Sequence, residues 1–254
     1  MGELADAALP TALGAALLLA LRFAPLVLLA PWLAAGYAPR LVQLAITACL
    51  VVCMLPSALA AQPALPNSAA LVALLAVREL LIGLVLGVAL AAPVLAVRWG
   101  GELIGVSIAA PEQGDSPYAR FYALFAAALF VTLGGHRVAL SALGRSLERA
   151  PLAELSAPAG ALQLLTGSAL LLGEAILTAA LIALPVLIAL ALTDLLIALL
   201  ARLGSIAFLP DLSGPSRALV ALAVVWMSLA ALAGALPQWF DSALARAVML
   251  WSAP

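Results

Sequence analysis

The sequence contains no lysine, and charged residues make up only 9% of its 254 residues. A soluble globular domain carries roughly 25% charged residues. Hydrophobic residues make up 67% and the mean hydropathy is +1.23, so the charges are too few to cover a water-facing surface. The 11 arginines and 12 acidic residues give a net charge of −1, without the basic surface that nucleic-acid binding needs. The composition therefore indicates a membrane protein that does not bind nucleic acid.

Histidine and cysteine are also scarce. His136 is the only histidine, so two-histidine zinc sites are excluded. Cys49 and Cys53 lie four residues apart inside an apolar run, where we interpret them as small apolar side chains rather than a disulfide or a metal site. The lack of lysine excludes a Gly-x-x-x-x-Gly-Lys phosphate loop. We therefore predict no cofactor, no metal and no catalytic residues.

Stretches with few charges predict about six membrane-spanning helices, since a helix that crosses the bilayer core needs about 20 residues. The predicted spans are 9–30, 41–60, 80–97, 121–133, 175–193 and 219–236. Glu3 and Asp6 stand where a signal peptide would have a basic region, so no cleavable signal peptide is expected. The arginines that flank the spans are divided almost evenly, so they predict no membrane orientation.

Prolines and ionisable residues interrupt these spans. Pro25, Pro93 and Pro185 each free a carbonyl that hydrocarbon cannot satisfy, which favours kinked helices packed against other helices. Each charge costs about 2.5 to 3.5 kcal/mol at the centre of a membrane helix, so we expect several to be paired. The ionisable residues within or at the edges of the spans are Arg22, Arg78, Glu79, Arg120, Glu174 and Asp194.

Two further stretches are amphipathic. Residues 137–150 are predicted to form an interfacial helix that ends at Pro151, with one polar arc and one apolar side. The polar arc holds Arg137, Ser141, Arg145, Glu148 and Arg149, and the apolar side holds Ala139, Leu140, Leu143 and Leu147. In the tail, one face holds Phe240, Leu244, Ala247 and Trp251, while Asp241 and Arg246 lie elsewhere. Either stretch could lie on a membrane or dock on a partner.

Small residues at helical spacing follow Glu79. Gly83 and Gly87 stand one and two turns beyond it, so a helix places all three on one stripe. We hypothesise that this stripe docks a helix of another subunit, with Glu79 meeting a basic or amide group. Packing against a helix of the same chain is an equally weighted alternative.

Several short motifs in a fixed order resemble one protein family. They are Glu79-x3-Gly83-x3-Gly87, Gly101-Glu102-Leu103-Ile104, Phe130 with Gly134-Gly135-His136, Ser146-x4-Pro151, and Ala183-Leu184-Pro185-Val186 with Asp194 and Arg202. Over about residues 10–235 the chain is similar to the SctT/FliR family, the export-apparatus proteins of type III secretion systems. It departs from the family pattern at residues 203–208 and at Gly105 and Val106.

The resemblance implies an all-α membrane protein of kinked helical hairpins in the bacterial inner membrane. Family members join SctR-like and SctS-like subunits in a helical export gate through which unfolded substrates leave the cytoplasm. Residues 1–160 would be the SctR-like part and residues 161–254 the SctS-like part. A SctU-like switch protein is expected around the turn between Arg202 and Arg217, and a SctV-like export protein is a further expected partner. General likeness favours the virulence-type SctT over the flagellar FliR branch.

Eight residues are candidates for contacts between subunits or for the pore wall. They are Arg78, Glu79, Gly83, Gly87, Glu102, Arg120, Asp194 and Arg202. A secondary transporter or channel is the main alternative function, although such a protein usually shows an internal repeat. A membrane enzyme would have only His136 with Ser141 or Ser146 as its polar cluster.

Overall fold

The computed structural model describes residues 2–29, 38–60, 66, 68–108, 116–152, 154, 161–203 and 213–252. These residues form α-helices and no strand, so the predicted all-α class is confirmed. In chain order the helices are α1 (Gly2–Leu29), α2 (Arg40–Ala60), α3 (Ala69–Ile108), α4 (Pro117–Thr132), α5 (Gly135–Arg149), α6 (Ala161–Leu203) and α7 (Ser213–Ser252).

Four of these helices are long and apolar enough to cross a membrane. They are α1 over Thr11–Leu29, α2, α3, and α6 over Leu162–Arg202. Two more stretches qualify only as pairs interrupted by a bend: α4 with α5, and the α7 segments Gly214–Leu229 and Leu232–Ala247. A count of four to six spans agrees with the prediction of about six.

The long helices extend well beyond the predicted spans. Helix α3 has 40 residues and α6 has 43, which at 1.5 Å per residue correspond to about 60 and 65 Å. The predicted span 80–97 stopped at the charged residues on either side, but helix α3 continues through Glu79 at one end and Glu102 at the other. Arginine and glutamate are good helix formers, so a charge marks the edge of an apolar segment and not the end of a helix.

The chain divides into two compact units, of which the first comprises residues 1–92, 134–172 and 243–254. In this unit α1 packs against α2. Helix α1 also packs on α3, at two glycines of α3. A Cβ added to Gly83 would collide with the backbone carbonyl of Arg22, and one on Gly87 would lie 3.2 Å from the carbonyl oxygen of Pro25. The two helix backbones therefore touch at these points, as small residues one turn apart allow.

The second unit comprises residues 93–133 and 173–242. Three glycines of α3 again set the packing. A Cβ on Gly101 would lie 2.8 Å from the carbonyl oxygen of Tyr118 on α4, and one on Gly100 would lie 2.9 Å from the Cγ2 of Ile182 on α6. Gly105 faces Ser116, whose hydroxyl caps α4 by accepting from the Ala119 N–H at 3.0 Å. Helix α3 thus uses the same small-residue spacing in both units.

Burial along α5 follows the predicted amphipathic pattern in part, with Leu147 and Arg149 half-buried. Helix α5 starts after Gly134, which has a φ of 74°, a conformation that glycine adopts without strain. The predicted polar residues Arg137, Ser141, Arg145 and Glu148 are exposed. Leu140 departs from the prediction, because 45% of it is exposed.

In the tail, the predicted apolar face is buried. Phe240, Leu244 and Ala247 are almost fully covered, whereas Asp241 and Arg246 are exposed. The side chain of Trp251 lies outside the described residues. Docking of either stretch on a membrane or a partner stays a prediction.

Replacement of Gly83 by alanine should lower the unfolding midpoint of the full chain in detergent, followed by tryptophan fluorescence. The new Cβ would overlap the Arg22 carbonyl, and overpacking of this kind costs about 1 to 3 kcal/mol. Gly234→Ala is the matched control, because a Cβ there meets nothing within 4 Å. That control should be neutral or stabilise by up to about 1 kcal/mol. Equal midpoints for the two variants would show that α1 and α3 do not touch at Gly83.

Candidate functional site

A buried ion pair lies between α1 and α3 in the first unit. The side chains of Arg22 and Glu79 are both 0% exposed, and the Arg22 Nε donates to the Glu79 Oε2 at 2.5 Å. A buried charge is tolerated only when it is paired and its remaining polar atoms are hydrogen-bonded. The remaining N–H groups of Arg22 therefore also need hydrogen-bond acceptors.

The remaining donors of Arg22 reach the carboxyl end of α5. Its Nη1 donates to the Ser146 carbonyl at 3.1 Å, and its Nη2 donates to the Ala150 carbonyl at 2.8 Å. Ser146 lies in the last turn of α5 and Ala150 is its C-cap. The last carbonyls of a helix carry its negative dipole end, and most of them lack backbone donors. The Ser146 carbonyl also accepts from the Ala150 N–H at 3.0 Å. Arg22 thus satisfies a carboxylate and a helix end with one planar group.

Arg78 completes what we call the charge cluster, which consists of Arg22, Arg78 and Glu79. Its Nη1 donates to the Glu79 Oε1 at 2.7 Å and to the Pro151 carbonyl at 3.2 Å, and 12% of the side chain is exposed. The two arginines exceed the one glutamate by a single positive charge. The carboxyl end of α5 offsets this surplus, since cations are favoured there.

The second unit has a weaker version of the same arrangement. The Arg217 Nη2 on α7 donates to the carbonyl of Ser107, one residue before the end of α3, at 2.7 Å. Its Nε lies 3.6 Å from the Asp194 Oδ1 on α6. The side chains of Arg217 and Asp194 are 34% and 45% exposed. This contact ties α6 to α7 next to the end of α3.

The structure brings together four of the eight candidate residues. Glu79, Arg78, Gly83 and Gly87 all lie on the part of α3 that faces α1 or borders it. However, the chain's own α1 fills the stripe, so Glu79, Gly83 and Gly87 leave no surface for a helix of another subunit. The alternative of packing within the chain therefore describes this stripe, because the partner of Glu79 is Arg22.

The other four candidates do not form one site in the described residues. Glu102 pairs with Arg98 one turn earlier at 3.1 Å, with both side chains partly exposed. Asp194 faces Arg217, while Arg120 and Arg202 are exposed. The turn predicted after Arg202 falls largely on residues 204–212, outside the described residues. A pore-wall role for these four residues stays a prediction.

Sequence reasoning missed the central position of Arg22 and the use of backbone carbonyls as its partners. Arg22 was visible as an ionisable residue inside the first span, which is a correct signal of burial. Its partners lie 57, 124 and 128 positions away, and a carbonyl carries no side-chain signature. Pro151 predicted where this helix ends, but not which residue binds its last carbonyls.

The arrangement gives little support to catalytic chemistry. His136 and Ser146 are ten positions apart on α5, about 15 Å along its axis, so they cannot act together as base and nucleophile. The hydroxyls of Ser141 and Ser146 donate to Val138 and Leu143 carbonyls of their own helix at 2.8 and 2.7 Å. Among the described residues, no group of three or more His, Cys, Asp or Glu could hold a metal ion.

These features define a multi-pass α-helical membrane protein whose internal charges hold helices in place. The sequence model of the bacterial export proteins, family 1, matches residues 13–243, which is most of the chain. The protein therefore belongs to this family of membrane components of protein export, in agreement with the predicted SctT/FliR resemblance. A comparison with curated proteins finds no match.

Replacement of Arg22 by methionine should be strongly destabilising, because it removes the fully buried partner of Glu79 and leaves that carboxylate with Arg78 alone. It also removes the Arg22 donor from the Ala150 carbonyl. Loss of one partner of a buried ion pair costs about 3 to 5 kcal/mol. Arg22→Lys should restore only part of this loss, because an ammonium group cannot reproduce the planar fork of a guanidinium. The measurements are the unfolding midpoint in detergent and the rate of trypsin cleavage after Arg149, which reports on the end of α5.

Glu102→Gln is the control for this experiment, since it breaks a partly exposed pair of the kind worth about 0.5 kcal/mol. If Arg22→Met has the same unfolding midpoint as this control and the same rate of trypsin cleavage after Arg149, the charge cluster does not hold α5 in place.

Proposed function

We propose that the protein is a core inner-membrane subunit of a type III secretion export gate and forms part of the channel for unfolded protein substrates. The observation that carries this proposal is the match of an export-protein family model to residues 13–243. That match covers α2, α3 and α6 completely and α1 from residue 13 onward. The proposal is of a structural subunit, not an enzyme.

The distribution of apolar surface supports an assembled state. Only 11% of the residues in the apolar stretch of α2 that could cross a membrane are buried. Leu41, Leu44 and Val52 are 78%, 65% and 69% exposed. Apolar surface of this extent is covered by lipid or by other subunits.

The burial of the charge cluster favours a structural role over a transport site. A transporter site places ionisable groups where substrate or ions can reach them. Arg22 and Glu79 are instead fully buried and bonded to each other, and Arg22 also donates to the end of α5. The proposal therefore favours an export subunit over the alternative of a secondary transporter.

The proposed partners follow from the family resemblance. They are SctR-like and SctS-like gate subunits, a SctU-like switch protein, a SctV-like export protein, secretion substrates and membrane lipid. The division into an SctR-like part over 1–160 and an SctS-like part over 161–254 belongs to the same proposal. The Asp194–Arg217 contact, which joins α6 to α7, supports a helical hairpin in the second part.

Deletion of the gene in its host should abolish export of type III substrates, measured by immunoblotting of culture supernatants, and leave signal-peptide-dependent secretion unchanged. A tagged wild-type chain should restore export and copurify with SctR-like and SctS-like proteins. Loss of injected effectors with intact motility would place the protein in the virulence branch that we favour. Unchanged export in the deletion strain, with no such proteins copurifying, would contradict the proposed function.

Substitution of His136 by glutamine should leave export within about twofold of wild type, measured in the complemented deletion strain. The residue is exposed at the start of α5, and a structural subunit needs no proton transfer there. A loss of about a hundredfold in export, with the assembled complex recovered in normal amount, is the magnitude expected of general acid-base catalysis. That result would reinstate the enzyme interpretation.

A further inference from the structure

A cavity of about 440 Å³ lies in the first unit between α2 and the carboxyl end of α5. Its walls are mostly apolar, and the polar side chains among the lining residues are Ser57 and Glu148. The lining residues are Met54, Ser57, Ala58, Gly144, Leu147, Glu148, Pro151 and Leu152. The volume lies within the range of about 300 to 1,000 Å³ that is typical of sites for small ligands.

The position of the cavity along α2 points to the edge of the bilayer. Met54, Ser57 and Ala58 belong to the last two turns of a span that ends at Ala60. The end of a span lies where hydrocarbon gives way to lipid head groups. An apolar space that opens at this level meets lipid as its solvent, so an acyl chain is the occupant present at the highest concentration.

The wall of the cavity at the end of α5 is held by hydrogen bonds. The Pro151 carbonyl accepts from Arg78, and the neighbouring Ala150 carbonyl accepts from Arg22. On the same side, a Cβ added to Gly144 would meet nothing within 4 Å. The charge cluster therefore holds the end of α5 in place while Gly144 leaves space beside it.

Glu148, one of the residues that line this space, has an oppositely charged neighbour on α5. Arg145 and Glu148 are exposed and three residues apart on α5, which makes them neighbours on the helix surface. In the part of the chain that the structure describes, neither side chain is taken up by an ion pair. An adjacent cation and anion match a head group that itself carries a phosphate and an ammonium.

We propose that this cavity binds a zwitterionic glycerophospholipid with a primary ammonium group. One acyl chain occupies the cavity, Arg145 binds the phosphate, and Glu148 binds the ammonium. Guanidinium groups suit phosphate through paired hydrogen bonds. A purely anionic head group would satisfy Arg145 but would place its charge beside Glu148, so charge complementarity favours the zwitterion.

The test uses the full chain in vesicles that contain phosphatidylethanolamine with a photoactivatable group on one acyl chain. Wild type should be labelled on the peptides that contain residues 54–58 and 144–152. Gly144→Leu fills the cavity from α5 and should reduce this labelling about tenfold. Gly173→Leu is the matched control, because it is also a helical glycine whose Cβ would meet nothing within 4 Å. It should label as wild type.

Ser57→Leu fills the same space from α2 and decides the outcome if Gly144→Leu does not elute as a folded protein. Folded cavity variants that label as strongly as wild type would overturn the proposal. Absence of labelling at these peptides in wild type would also overturn it, and would leave the cavity to a protein partner.

Head-group selectivity is measured with matched probes of phosphatidylethanolamine and phosphatidylglycerol. Wild type should prefer phosphatidylethanolamine, and Glu148→Gln should lower the ratio of the two labels by about threefold, the size of a weak ion pair. Equal labelling by both lipids in wild type would overturn the zwitterionic assignment.

Discussion

A guanidinium group buried away from solvent must have partners for its donors, and this requirement fixes the first unit. Arg22 directs its three nitrogens to a carboxylate on α3 and to two carbonyls at the end of α5. Each unsatisfied polar group in such an interior costs several kcal/mol. Because the acceptors come from two different helices, a shift of either one breaks a bond. The mutual placement of α1, α3 and α5 is therefore coupled through one side chain.

The glycine stripe is what makes this ion pair reachable. Gly83 lies one turn beyond Glu79, and it is the backbone of Arg22 that occupies the space of its missing Cβ. The close backbone approach thus occurs at the residue whose side chain must meet Glu79. A larger residue at position 83 would move the guanidinium away from the carboxylate, so packing and charge pairing depend on each other here. Arg217 repeats the contact to a helix end in the second unit, but it is partly exposed and its carboxylate is farther away.

Local patterns made the helices predictable, whereas the partners of charged residues were not. The apolar runs predicted the spans, and the 3.6-residue period placed Arg137, Ser141, Arg145 and Glu148 on the exposed side of α5. The stripe from Glu79 to Gly87 was also visible, since it lies within three turns of one helix. Its occupant was not, because α1 is 57 positions away in sequence. The lengths of α3 and α6 were underestimated for a related reason: charges that are paired in the fold do not end a helix.

The buried charges are paired within the chain, so they stabilise its fold and would not drive its association with other subunits. If ionisable residues had lacked partners within the chain, their desolvation cost would have driven association with other subunits. The charge cluster instead satisfies Arg22 and Glu79 inside the first unit, so association in the proposed gate would depend on other surfaces. Among the helices that qualify as spans on their own, α2 has the smallest buried share, 11%, and its Leu41 and Val52 are 78% and 69% exposed. Lipid covers such a face as well as protein does, so subunit choice there rests on shape and close packing rather than on hydrophobicity. In the proposed gate, specificity would then come from the contours of the exposed helices, with the charge cluster keeping those contours constant.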